Sequence, residues 1–240
     1  MVYLRGMSQK PKTYFNWSSG KDSALALHHL LKQSTHNVDR LLTTVNAHHD
    51  RVSMHGLRRE VLIAQAKSIG IPLDILEVPE KPSMESYNAL MESKVKALVS
   101  TGYSHAAFGD IYLEDLKEYR EKMLGQYNIS CVFPIWKRNT KELITEFLEL
   151  GFRTIIICIN NSLLDESFLG AEITSELLER LPDNVDFCGE NGEFHTFCFD
   201  GPLFDHPIAF ELGEKVFRTY DNPSDATTPI PFGFCDVLLK

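Results

Sequence analysis

The first half of the chain alternates short apolar runs with amphipathic stretches, and that alternation predicts a parallel α/β sheet with helices on its faces. Residues 13–17, 41–46, 73–78, 105–108 and 129–133 read as strands, and 21–32, 56–69, 84–101 and 113–127 as the helices between them. On the first helix Leu27, Leu30 and Leu31 recur at helical spacing, which assigns them to the core. After Phe133-Pro134-Ile135-Trp136 the character changes. A helix near 140–150, a very apolar run at 154–159 and a helix over 171–180 precede a region of short strands and turns, punctuated by Gly189, Gly192, Gly201 and Pro202. Residues 222–229 read as a loop before a last short strand. The expected organisation is a main α/β domain over 1–134 and a smaller α+β domain over 135–240.

The junction between the first strand and the first helix carries the most chemistry. There Tyr14-Phe15-Asn16-Trp17 runs into Ser18-Ser19-Gly20-Lys21-Asp22-Ser23 and then an Ala/Leu-rich helix. Backbone N–H groups at a helix N-terminus lack intrahelical acceptors and carry partial positive charge, so this layout is a phosphate cradle. The serines add hydroxyl donors, Gly20 permits close approach and Lys21 supplies a point charge. In parallel sheets ligands gather at the carboxyl ends of strands where strand order reverses, which is where residues 18–21 fall. The P-loop of ordinary NTPases is excluded, because Phe15 stands where its first glycine should be and Asp22 where its Ser/Thr should follow the lysine.

Three further clusters carry candidate chemistry. Cys188-Gly189-Glu190-Asn191-Gly192-Glu193-Phe194-His195-Thr196 gathers carboxylates, an amide, a histidine and a hydroxyl around two glycines. It can hold a polar ligand or carry a proton, and it also reads as a tight hairpin turn. Gly109-Asp110 ends the fourth strand, so Asp110 suits either a magnesium ligand or a helix cap. Met54-His55-Gly56 precedes the second helix, where His55 reads as a catalyst or, more commonly for a lone histidine, as a surface residue or a satisfied cap.

Composition narrows the function classes. A formal net charge of −9 argues against a broad nucleic-acid-binding surface. One cationic cluster, His48, His49, Arg51, His55, Arg58 and Arg59, keeps a local basic patch open. With no long apolar run, and an N-terminus Met1-Val2-Tyr3-Leu4-Arg5-Gly6 too short in its apolar part for a secretion signal, the expected location is the cytoplasm, away from membranes. Five cysteines, an odd number without a C-x-x-C pair, suit reduced and mostly buried thiols.

The segment from Ser18 to Ser23 resembles the PP-loop, S-G-G-K-D-S, of the ATP pyrophosphatase superfamily, which cleaves ATP between the α and β phosphates; Ser19 replaces its first glycine. Together with Met54-His55-Gly56, Gly109-Asp110-Ile111 through Tyr119-Arg120, Pro134-Ile135-Trp136, the Gly-Glu-Asn-Gly-Glu stretch at 189–193 and Asp200-Gly201-Pro202, the pattern resembles the diphthine–ammonia ligase family of PP-loop ATPases. The likeness runs from about Thr13 to about Phe204. It implies a HUP-type doubly wound parallel sheet, a smaller C-terminal domain and ATP between them.

The resemblance also implies an activity, in which ATP adenylates the carboxylate of diphthine on elongation factor 2 with release of pyrophosphate, and ammonia then displaces AMP to leave an amide. It assigns ATP to Ser18, Ser19, Gly20, Lys21, Asp22, Ser23, Thr44, His55, Gly109 and Asp110, and magnesium to Asp22 and Asp110. Lys21, Asp22, Glu190, Asn191 and Glu193 would be catalytic, with the last three at the acceptor and ammonia end. The segment Tyr112-Leu113-Glu114-Asp115-Leu116 departs from the diphthamide enzymes proper and looks more like a short bacterial branch, for which another carboxylate would be the substrate. A homodimer is compatible with the pattern. Two other readings compete: a PP-loop tRNA-modifying enzyme of thiolation or lysidine type, and a non-catalytic ATP-binding regulator.

Overall fold

The computed structural model describes residues 10–222 and 225–240, so the N-terminal residues Met1–Gly6 discussed above lie outside the described residues. Strand β1 (Lys12–Asn16) leads into helix α1 (Lys21–Gln33), followed by β2 (Asn37–Asn46), β3 (Arg51–Val52), α2 (Arg59–Ile69), β4 (Leu73–Val78), α3 (Met84–Ser100), β5 (His105–Ala107), α4 (Glu114–Gly125) and β6 (Ser130–Val132). Strands β4, β2, β1, β5 and β6 lie side by side and parallel, and the two-residue β3 pairs antiparallel with the end of β2. The order reverses at β1, whose neighbours are β2 on one side and β5 on the other. The expected doubly wound, HUP-type sheet is therefore present, with its crevice at the carboxyl end of β1.

Alternation along β1 sorts the helices onto two faces. Phe15 and Trp17 point into the core shared with α1 and α2, whereas Tyr14 points into the opposite core with Val95 and Leu98 of α3 and Leu124 of α4. The second half adds α5 (Thr140–Glu149), β7 (Arg153–Asn160), α6 (Ser175–Leu178), β8 (Phe194–Asp200), β9 (Phe210–Asn222) and β10 (Asp225–Leu239). These strands form a separate antiparallel sheet in the order β8-β7-β10-β9. Its inner face, with Ile155, Ile157, Phe197 and Phe199, continues the core of α1 and α2 through Phe147 and Phe152.

Four expectations need correction. Leu31 is 36% exposed, on the outer edge of the α1 face rather than in the core. Helix α2 begins at Arg59, because Gly56 sits in a turn at φ +74°. The helix expected over 171–180 shrinks to Ser175–Leu178, capped by Thr174, since Glu172 bridges to Ile155 at the sheet edge. Residues 222–229 are largely strand, because β9 and β10 form one long hairpin; the expected loop positions 223–224 lie outside the described residues.

Candidate nucleotide site

The phosphate loop is held from three directions. Within it, Ser18 N–H donates to Ser23 Oγ at 3.1 Å, and the two hydroxyl oxygens lie 2.6 Å apart. Ser19 adopts φ +73°, the left-handed region where the superfamily's glycine would rest without strain. From α2, the wholly buried Gln65 donates through Nε2 to Ser19 O at 3.1 Å and Cys198 O at 2.6 Å, and accepts from Trp17 Nε1 at 3.2 Å. From β8, Cys198 N–H donates to Ser19 O at 3.0 Å. The antiparallel sheet is thereby stitched to the loop of the parallel one.

Gly20 is the N-cap of α1 and offers no side-chain acceptor. Thr196 on β8 takes that role, with its Oγ1 accepting from Lys21 N–H at 3.0 Å. The next two amides, Asp22 and Ser23, belong to the first helical turn and have no intrahelical acceptor. Gly109 packs against this turn so closely that a Cβ there would lie 2.9 Å from Ser23 N and 3.0 Å from Asp22 C. The glycine lets the end of β5 reach the cradle and brings Asp110 beside it.

The Lys21 side chain is only 3% exposed. Its Nζ donates to Asp22 Oδ2 at 2.7 Å and to the carbonyl of Cys188, and lies 5.3 Å from the centre of the Phe194 ring. Burial disfavours the ammonium, but the carboxylates of Asp22 and Glu190 outweigh it and hold its pKa above the ordinary lysine value. An ammonium has three donors, so one is left for an anion.

The loop before β8 is built around an inward carboxylate. Glu193 is 1% exposed and accepts from Asp186 N at 3.0 Å, Asn191 N at 2.8 Å and Asn191 Nδ2 at 3.0 Å. Gly189, at φ +73°, lies where a Cβ would be 2.7 Å from Phe194 O. Glu190 is thereby turned toward the cradle. Burial first, then the neighbouring Asp22, Asp110 and Asp186, pushes its pKa up to about 8. Tyr112 OH reaches Asn191 Oδ1 at 3.3 Å, and burial next to these acids raises its pKa to about 12.

Other expected site residues fall as follows. His55 places Nδ1 3.3 Å from Thr196 O and its ring 4.7 Å from that of His195. Desolvation, then mutual proximity, lowers His55 to about 3, and desolvation with Lys21 lowers His195 to about 4, so both rings are neutral at pH 7. Thr44 lies on β2 with its carbonyl accepting from Ser53 N–H at 3.0 Å. Both Asp110 oxygens face Arg120, at 2.7 and 3.2 Å. Among the described residues no group of three or more His, Cys, Asp and Glu side chains is arranged to hold a metal. Asp22 Oδ2 is engaged by Lys21 Nζ and both Asp110 oxygens by Arg120, so the two carboxylates expected to hold magnesium are each paired with a cation here.

The arginines of the cationic cluster are paired internally. Arg51 and Arg58 grip Asp236 of β10 at 2.7 Å each and, against its burial, hold that carboxyl well below its usual range. Arg59 pairs with Asp50 and Glu77. Three residues beyond the assigned set also shape the site: His195 and Thr196 belong to the 188–196 stretch, whereas Gln65, a single amide on an amphipathic helix, carries no signal in the sequence.

Residues 11–128 match the family described as diphthamide synthase N-terminal domain, and residues 139–222 match diphthamide synthase C-terminal domain. The chain belongs to the diphthamide synthase family. Among curated members, it is 31% identical over 126 residues to the diphthine–ammonia ligase of Rattus norvegicus, covering 50% of this chain and 46% of that one. It is 28% identical over 128 residues to that of Homo sapiens, covering 50% and 46%. The chain thus matches about half the length of these family members. A solved structure, the U34-tRNA thiolase NcsA from Methanococcus maripaludis with its [4Fe-4S] cluster, aligns at 16% identity and a TM-score of 0.37, covering 60% of this chain and 58% of that one. No helix among the described residues is long and apolar enough to cross a membrane.

Proposed function

We propose that this protein is an ATP-dependent amide ligase, which adenylates a carboxylate and lets ammonia displace AMP. The observation that carries the reading is the enclosure of the phosphate loop by the second half of the chain, which brings Glu190 beside Lys21 and Asp22. A carboxylate is a poor electrophile, because its leaving group would be oxide. Attack of its oxygen on the α phosphorus expels pyrophosphate and makes a mixed anhydride. The amides of Asp22 and Ser23 and the free donor of Lys21 are aimed at the charge that builds on departing pyrophosphate.

Asp22 and Asp110 would be the residues to hold magnesium, which when bound would supply neutralisation of phosphate charge. In the second half-reaction the nitrogen of ammonia bonds to the acyl carbon, the bond to AMP breaks, and nitrogen releases a proton. Glu190, when ionised, is the acceptor of that proton. Glu193 positions Asn191 and the turn. Adenine would lie along β2 near Thr44, with His55 beside the phosphates. Diphthine on elongation factor 2 is the named candidate acceptor, by analogy with the named relatives, and the cytoplasm is the proposed location.

The deciding experiment supplies Mg-ATP, ammonium and elongation factor 2 arrested at the diphthine stage, and follows nucleotide products and acceptor mass. AMP, pyrophosphate and a carboxylate-to-amide mass change are the expected result. ADP and phosphate would overturn the adenylation chemistry. AMP formation only with a different carboxylate would keep the chemistry and replace the acceptor.

A further inference from the structure

We infer that Gln65 is a positioning residue that fixes the polarity of the peptide joining Ser19 to Gly20, and so decides whether the loop presents an N–H or a carbonyl to phosphate. The inference rests on the nucleotide-site reading above and goes beyond it. In a trans peptide the carbonyl and the N–H point in opposite directions. The Ser19 carbonyl is drawn inward by two donors, Gln65 Nε2 at 3.1 Å and Cys198 N–H at 3.0 Å. The Gly20 N–H of the same peptide is thereby directed to the loop's other side, where its nearest acceptor is Ser18 Oγ at a long 3.4 Å. A flipped peptide would aim a carbonyl at the anion instead.

The flip would rotate ψ of Ser19 and φ of Gly20 while leaving Ser19 at φ +73°, and Gly20, with no Cβ, adopts φ of either sign and offers little resistance to it. Gln65 opposes the rotation and cannot be replaced by solvent, because Gln65 and Ser19 are both wholly buried. Its own amide is anchored: Oε1 accepts from Trp17 Nε1 at 3.2 Å, which settles which end of the side chain carries the donors, and Nε2 also serves Cys198 O. One side chain on α2 therefore ties together the end of β1, the phosphate loop and β8.

The test is titration of the full-length protein with inorganic pyrophosphate and with Mg-ATP, alongside steady-state kinetics and thermal unfolding, for the unaltered protein, Gln65→Leu and Gln65→Met. Gln65→Leu should weaken pyrophosphate binding and raise the KM for ATP by roughly tenfold to a hundredfold, the worth of one hydrogen bond to a charged group, while kcat changes much less. A purely structural role predicts lost stability with unchanged affinity in the folded fraction, and that result overturns the inference. Should Gln65→Leu fail to fold, Gln65→Met, which keeps the bulk and lacks the donor, applies the same criterion. An unaltered protein that binds neither probe overturns the cradle reading and this inference with it.

Discussion

The two loops that meet at Lys21 are built in opposite ways. The phosphate loop presents its backbone to the crevice and is braced from outside, by Gln65, Cys198 and Thr196. The loop at 189–193 folds around its own buried carboxylate, Glu193, and presents a side chain, Glu190. A loop that binds through amides needs its peptide planes fixed by neighbours. A loop that works through one titrating group needs that group desolvated, and uses a second acid of the same kind as scaffold.

Substitutions separate the two designs. Lys21→Ala should have the largest effect, lowering kcat/KM for ATP by roughly a hundredfold to a thousandfold, as loss of a group facing developing charge does. Within the second loop the two glutamates should behave oppositely. Glu190→Gln leaves ATP binding and thermal stability near those of the unaltered protein, lowers amide formation roughly tenfold to a hundredfold, and abolishes a rise in rate near pH 8 measured at constant free ammonia. Glu193→Ala instead costs about 1–3 kcal/mol of stability, because it strands buried amides, with catalysis falling through the disordered turn. If the stability loss followed Glu190 and the pH limb followed Glu193, the contrast would be reversed.

Smaller effects sharpen the picture. Thr196→Val removes the cap of α1 and should cost about 1 kcal/mol in denaturant titration. The histidine pair gives a pH signature. His55 and His195 titrate below their ordinary 6.5, so the unfolded chain binds more protons than the folded one between about pH 6.5 and the folded values near 3 and 4. Their contribution is fully present above pH 6.5 and is lost as pH falls, and His195→Gln should flatten the acid side of the stability profile.

The parallel sheet was legible because buried strands announce themselves as apolar runs and β1 ends in a glycine-containing turn before a helix. The Gly-Glu-Asn-Gly-Glu stretch was legible as chemistry but not as a division of labour. Two glutamates three residues apart look alike until the turn at Gly192 sends one inward. The β9–β10 hairpin was hidden by Pro223, Pro229 and Pro231, residues that read as loop in isolation, although Pro231 pairs with Thr219 within the ladder. Gln65 was silent, because what makes it matter is the company of Trp17, Ser19 and Cys198, brought together only by folding.

The bond from Cys198 N–H to Ser19 O has a consequence for timing. It spans the two sheets at the spot where the nucleotide phosphates are proposed to rest, so its amide proton trades with solvent only when the halves part there. The exchange rate of this single proton is a clock for that opening, and its slowing by a ligand converts directly into how much more tightly the ligand holds the shut form than the open one.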